Sequence, residues 1–386
     1  MHKIKVAITG WGSLSPLGTE HPLIWDHYLS NRHFFSRIAT RAGGVWGAPI
    51  TRNVEAIVNS ISQHKRYRHL DPVVWYAIAA SRLAVRHAGW VGDQTFGINI
   101  GSSRGATTAF EKYHAEFIES GRQKTDPFTS PITTLGNIAS WVAADLNSTG
   151  PVISHSITCS SAMHAVANAV VWLTSGLSTR FIAGGSEACL TPFTLTQMKA
   201  LKIYSTLFNE YPCRPMDLSK TRNTMIIGEG AASFCLEAAT DNAIAFITGI
   251  GYSTEIIKHG ASVSADAICL QRSMRMALNG HDLQSVDVVI LHSPGTIQGD
   301  SSEMQAIEAL FGSNAPLLTC NKWKIGHSLG ASGALSIEMG LLMLQHDHFI
   351  DIPYLSKQNQ MRPLQKILIN ATGFGGNAVS IVIEKA

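Results

Sequence analysis

Cys159, one of six cysteines, stands in the stretch SITCSSAMHAV at residues 156–166, where a β-branched run gives way to small residues and a helical pattern. A thiol at such a junction is placed for nucleophilic chemistry. Ser160 and Ser161 suit the exposed N–H groups of a first helical turn, and the positive end of that helix favours thiolate over thiol, which lowers the pKa. Two histidines could complete a site. His292 ends an apolar run in VDVVILHSPGTIQGD, and His327 opens a small-residue helix in NKWKIGHSLGASGAL. Strand ends and helix starts of this kind are where reacting groups gather in layered α/β folds. The glycines of GFGGN at 373–377 let backbone N–H groups come close to a ligand. Lys322, five residues before His327, can orient neighbours and add positive potential, whereas Lys324 reads as solvated. His64, His69, His114 and His348 lie among polar residues and read as surface, and His164 as a wall residue. Cys189, Cys235 and Cys269 read as packed small hydrophobes.

The reactive candidates are distant in sequence, so the elements between them must bring them together. KIKVAIT, FGINIG, PVISHSIT and RFIAGG read as strands, and DPVVWYAIAASRLAVRHAGW and SSAMHAVANAVVWLTSG as helices, an alternation that predicts α/β layers. AITGWGS at 7–13 returns as FITGIGYS at 246–253, each expected as a strand ending in a Gly-x-Gly turn. The Cys159 segment is echoed by LTCNKWKIGHSLGASGALSIEMGLLML. The expected organisation is a duplication, with residues 1–240 carrying the cysteine and 241–386 carrying both histidines. Residues 203–225 lack a clean period and read as a long surface excursion.

Composition narrows the class. Apolar residues form 45% of the 386 and charged residues 15%, which suits a well-buried α/β enzyme or an obligate oligomer. The net charge of +3, with no basic stripe interleaved with aromatics, argues against nucleic-acid binding. The opening residues read as a first strand, and no apolar run is long enough to span a bilayer, so a soluble protein is expected. Six dispersed cysteines without a C-x-x-C pair argue against zinc or a disulfide framework and fit a reducing cytoplasm.

Taken in order, VAITGWGSLSPLG, TCSSAMHA, AGGSEA, GEGAA, HSPGTIQGD, NKWKIGHSLGASGA and GFGG resemble the condensing enzymes of the thiolase superfamily over nearly the full length. The resemblance is to β-ketoacyl-acyl-carrier-protein synthases of the chain-extending type. It implies an α/β thiolase-like fold in a duplicated α/β/α/β/α five-layer arrangement. It also implies Cys159 as nucleophile, His292 and His327 as the histidine pair, Lys322 as supporting lysine and Phe374 as gate of the acyl pocket. Thr296 and Gly375 are implied at the substrate, and the backbone amides of Cys159 and Phe374 as an oxyanion hole. The implied reaction is decarboxylative Claisen condensation of an acyl chain with malonyl-carrier protein, in fatty-acid or type II polyketide or polyene biosynthesis. It needs no metal and no cofactor beyond the phosphopantetheine of acyl carrier protein. Lys65, Arg66 and Arg68 are expected to meet that acidic carrier, and GPVISHSIT to lie at a twofold interface. The assembly would then be a homodimer or a heterodimer with a related ketosynthase-like subunit. Two alternatives stand beside this reading. A non-catalytic chain-length-determining subunit usually lacks the thiol, and a thiolase-like acyltransferase does not resemble the His/His pattern.

Four departures, one of them a chain slightly short for the family, bear on substrate more than on catalysis, and lean toward a secondary-metabolite polyketide or polyene system. Pro294 replaces a threonine in HSPGT, and Asn377 stands where a threonine is usual. Ser336 occupies the position nine after His327 where an acid is expected, with Glu338 on another helix face. Lys322 is therefore expected to pair with Glu229 or to bind through water.

Overall fold

In the computed structural model of the chain, residues 4–39, 43–92, 95–238, 240–256 and 264–386 are described. The strands are β1 (Val6–Leu14), β2 (Ser36–Ile38), β3 (Val45–Gly47), β4 (Gly97–Gly101), β5 (Val152–His155), β6 (Arg180–Glu187), β7 (Gly230–Ala238), β8 (Ala245–Thr254), β9 (Val288–Ile290), β10 (Leu317–Thr319), β11 (Lys366–Gly373) and β12 (Asn377–Lys385). Ten of them form one sheet in the order β10-β9-β11-β12-β8-β1-β7-β6-β4-β5, while β2 and β3 pair separately.

The sheet order exposes an internal symmetry. Read outward from the centre, β1-β7-β6-β4-β5 and β8-β12-β11-β9-β10 repeat the same chain order, first, fifth, fourth, second, third. The pairing sense repeats as well, antiparallel through the first three strands of each series and parallel through the outer ones. The two series meet where β1 and β8 run antiparallel, Val6 opposite Ile247. The sequence repeat thus falls on the two strands at the centre of the sheet.

Its glycines do not make turns, contrary to expectation. Gly10 and Gly12 lie inside β1, because the helix Pro72–Ala88 rests directly on the strand. A Cβ on Gly10 would come within 2.4 Å of Ala88 N, and one on Gly12 within 2.4 Å of Leu83 Cβ. The second copy repeats the device against the helix Ile268–Ala277, where a Cβ on Gly251 would meet Ser273 O at 1.8 Å. Glycine is kept for close approach of a helix to a strand. The helix Pro72–Ala88 has well-defined ends: Asp71 caps it by accepting from Val73 N at 2.9 Å, and Gly89 ends it at φ 64.

Two further helices, Ser161–Thr174 and Ser332–His346, pack on each other and touch strands of both series. They form the middle layer, with the sheet on either side and outer helices beyond. The second is buried at every position from Ser332 to Leu344, which explains its small and apolar composition all round. Main-core residues such as Met163, Val166, Leu335, Met339 and Ile381 join the halves in one continuous cluster.

Residues 203–225 are not a surface excursion. Tyr204, Cys213, Met216 and Met225 are buried, and Lys220 Nζ pairs with Asp300 at 2.7 Å, both side chains nearly solvent-free. Thr224 N donates to Gly295 O at 2.8 Å. The segment has no period because side-chain and loop contacts, not regular secondary structure, hold it against the His292 loop.

Candidate active site

Each reactive side chain sits beside a residue forced into the left-handed region. After β5 the chain passes through Thr158 at φ 49 before Cys159 and the helix Ser161–Thr174. A β-branched residue there costs about 1–3 kcal/mol and persists only where neighbours hold it. They do: Ser161 Oγ donates to Thr158 O at 2.6 Å and accepts from Ile157 N at 2.9 Å. Gly373 makes room for the turn, since a Cβ there would lie 1.8 Å from Thr158 Oγ1.

His292 follows β9, and Ser293 beside it has φ 22. Glu303, on the helix Ile297–Phe311, clamps this corner by accepting from His292 N at 2.9 Å and Ser293 N at 2.7 Å. His327 is fixed through its backbone, donating to Ile226 O at 2.7 Å and accepting from Gly228 N at 3.1 Å, with Leu329 at φ 42 two residues on. The two imidazoles meet at a centroid distance of 5.1 Å and an interplanar angle of 83°. Together with Cys159 and Phe374 they line one cavity of about 280 Å³. Its apolar wall includes Met198, Leu201, Ile203, Met225 and Leu270.

The electrostatics differ from the sequence expectation at the sulfur. Burial, and then the Glu187 carboxylate, push the Cys159 thiol up to about 12, against Lys322, Arg104 and its own amide, which favour the thiolate. Burial outweighs the helix end, so the sulfur rests as a thiol. Both imidazoles are held neutral. Burial lowers His292 well below its usual value, with Lys322 and His327 adding to the effect, and burial followed by Lys322 does the same for His327. Because only the rare thiolate alkylates, iodoacetamide labelling of Cys159 should rise about tenfold per pH unit from pH 7 to 9. A plateau near neutrality, read by mass spectrometry, would show that the thiol is not raised.

Thr296 and Pro294 also line the cavity, and Thr296 caps the helix Ile297–Phe311, its Oγ1 accepting from Gly299 N at 3.1 Å. Gly375, at φ 94, shapes the turn behind Phe374 and does not line the cavity. Lys322 is buried behind the wall and acts on the histidines through its field. Its own pKa is lowered by burial, and the acids whose charge opposes that shift include Glu303 and Asp300. Glu229 is not its partner: it accepts from Leu190 N at 3.2 Å and neighbours Tyr76. Glu338 is also elsewhere, accepting from Tyr28 at 3.1 Å. Lys324 is not solvated. Its Nζ donates to His27 O at 2.8 Å, Ser30 O at 2.5 Å and Arg32 O at 2.9 Å, carbonyls at and beyond the end of the helix His21–Leu29. His164 is half-buried but does not line the cavity. Lys65, Arg66 and Arg68 are exposed and outside it. His64, His69, His114 and His348 are exposed, and all six cysteines are free thiols.

Sequence reasoning missed Glu303. Its signal was present, since Asp300 and Glu303 are acids on the same helix face as the apolar Ile307 and Phe311, a placement that only a partnered carboxylate tolerates. Among the described residues no group of His, Cys, Asp and Glu is arranged to hold a metal, and no helix is long and apolar enough to cross a membrane.

A thiol, two neutral imidazoles and a glycine-rich loop thus surround one cavity. Residues 3–242 match the β-ketoacyl synthase N-terminal domain and residues 244–353 the β-ketoacyl synthase C-terminal domain, so the chain belongs to the β-ketoacyl synthase family. Among curated relatives, the 3-oxoacyl-[acyl-carrier-protein] synthase 2 of Coxiella burnetii is 27% identical, covering 100% of this chain and 99% of its own. The protein of that name from Staphylococcus aureus is also 27% identical, over 99% and 98%. The fold is shared with the ishigamide ketosynthase/chain length factor, at TM-score 0.88, 21% identity and 100% coverage of both chains. A β-ketoacyl synthase from Burkholderia phymatum matches at 0.84, with 24% identity over 99% of each chain. A type II acyl-carrier protein in complex with its ketosynthase bound to the hexaketide matches at 0.85, with 20% identity and 100% coverage of both.

Proposed function

We propose that this β-ketoacyl synthase condenses a Cys159-bound acyl chain with a malonyl unit, both delivered on a carrier protein. The observation that carries the reading is the meeting of Cys159, His292 and His327 in one cavity. Cys159 Sγ attacks the acyl thioester. Its proton passes through a neutral imidazole to the departing pantetheine thiolate, while backbone amides at Cys159 and Phe374 hold the oxyanion. The malonyl carboxylate then leaves as CO2, and the electron pair it leaves behind forms an enolate whose oxygen accepts from the imidazole N–H groups. The enolate carbon attacks the Cys159 thioester, the C–S bond breaks, and the sulfur is reprotonated. The balance is acyl-carrier plus malonyl-carrier plus one proton giving β-ketoacyl-carrier, CO2 and free carrier thiol. Burial, with the Lys322 charge adding to it, keeps the imidazoles uncharged, so that they donate without competing as acids.

Phe374, 42% exposed at the rim, gates the acyl side, with Thr296 and Gly375 shaping the path of the pantetheine arm. Lys65, Arg66 and Arg68 form the exposed basic patch for the acidic carrier, an attraction that weakens with salt. β5 ends the sheet with a free edge, which suits pairing with a second copy or a related ketosynthase-like subunit. The substrate departures at Pro294 and Asn377 fit a type II polyketide or polyene chain as well as a fatty acyl chain.

Incubating the purified protein with acyl-carrier and malonyl-carrier tests the reading. An acyl adduct on Cys159 followed by a β-ketoacyl-carrier is expected, and no adduct with any acyl length from short to long would refute it.

A further inference from the structure

We propose that Asn377 is a positioning residue that latches the Phe374 gate to the Cys159 turn, and so controls access of the acyl group to the sulfur. The proposal rests on the function given above. Asn377 opens β12 directly opposite Gly373, the last residue of β11, so its side chain spans the GFGG turn. Its Nδ2 donates to Phe374 O at 3.0 Å, and its Oδ1 lies 2.6 Å from Ser160 Oγ. The assignment of the two ends is forced. The Phe374 carbonyl can only accept, so the amide nitrogen faces it and the oxygen faces Ser160, whose single hydroxyl proton is shared between Asn377 Oδ1 and Ile157 O at 2.8 Å.

Ser160 is the residue after the nucleophile and Phe374 is the gate, and the carboxamide joins the two directly. Thr158 Oγ1 adds a second, weaker donation to Phe374 O at 3.4 Å. The Phe374 peptide is thereby fixed from two residues that flank Cys159, one on each side. Further support comes from the opposite side of the turn, where Glu255 N donates to Gly376 O at 2.8 Å. A threonine at 377 has a single short hydroxyl, whereas the carboxamide presents a donor and an acceptor at opposite ends and reaches both partners. The departure at this position is therefore a change in how the gate is held. The histidine pair has separate anchors, Glu303 and Ile226 O, and Asn377 shares neither.

The test compares wild type with Asn377→Ala, Asn377→Thr and Ser160→Ala in three readouts: acyl transfer to Cys159, CO2 release from malonyl-carrier, and iodoacetamide alkylation of Cys159. For Asn377→Ala, acyl transfer should fall about tenfold and alkylation should rise several-fold, while CO2 release changes by less than about twofold. Asn377→Thr, which keeps one end of the latch, should fall between. Ser160→Ala should shift the same two readouts in the same directions, and adding it to Asn377→Ala should change neither further. Unchanged transfer and alkylation in Asn377→Ala would overturn the proposal. So would a parallel loss of all three signals with a lowered melting temperature, since that is the mark of a purely structural residue. If wild type formed no acyl adduct, the assigned function would fail while the alkylation comparison still decided the latch.

Discussion

Cys159→Ala is expected to abolish the acyl adduct and lower condensation on the order of a thousandfold or more, because among the described residues no other thiol lines the cavity. The neighbouring candidates are unsuited. Cys189 is fully buried, its Sγ donating to Gly228 O, and does not line the cavity. Ser302 and Thr372 line it as ordinary hydroxyls with no adjacent base assigned to them. CO2 release from malonyl-carrier should survive in the same variant, since neither imidazole is held by the sulfur. Intact mass and CO2 trapping on one sample separate the two halves of the reaction. An adduct retained in Cys159→Ala would end the nucleophile assignment.

The histidine pair carries the second large effect. His292→Ala and His327→Ala should each lower CO2 release by about a hundred- to a thousandfold, the usual cost of removing one donor from a developing oxyanion. Neutrality is what makes the pair useful. An imidazolium would be stabilised against Lys322 only at a cost, and burial together with the Lys322 charge keeps both rings uncharged across the neutral range. Both pKa values lie below the usual histidine value, so lowering the pH from 8 to 6 should leave CO2 release nearly flat. An asparagine at either position restores an N–H donor and should recover part of the rate, whereas alanine should not. Unchanged release in both alanine variants would remove the histidines from the mechanism.

The convergence itself was legible in the sequence at the level of residues and not of fields. Cys159, His292 and His327 each stand at a strand end or helix start, and the repeat of AITGWGS in FITGIGYS anticipated a sheet built of two equivalent series. Burial was not legible. A helix N-terminus reads as thiolate-stabilising from sequence, yet the cysteine that lines the cavity is itself buried, and desolvation dominates. Lys324 was misread for a related reason: a lysine two residues from another lysine looks solvated until the end of the helix His21–Leu29 folds over it and supplies carbonyl acceptors. The Gly-x-Gly turns were misread because glycine serves both bends and close contacts, and only the helix lying on β1 decides which. Glu303 shows itself only as an acid on an apolar helix face, its partners His292 and Ser293 lying 11 and 10 residues back, whereas Lys220 pairs with Asp300 across 80 residues, which no local pattern records.

In the proposed reaction one cavity joins acyl loading on sulfur to imidazole-assisted loss of CO2. That coupling is tested most directly by loading Cys159 with an acyl group, removing excess acyl-carrier, adding carboxyl-labelled malonyl-carrier, and counting labelled CO2 against β-ketoacyl-carrier in a single turnover. One CO2 for each ketone, both limited by the amount of acylated protein, is the predicted result. Ketone formed without CO2, or an acyl group that leaves Cys159 with no ketone formed, would contradict it.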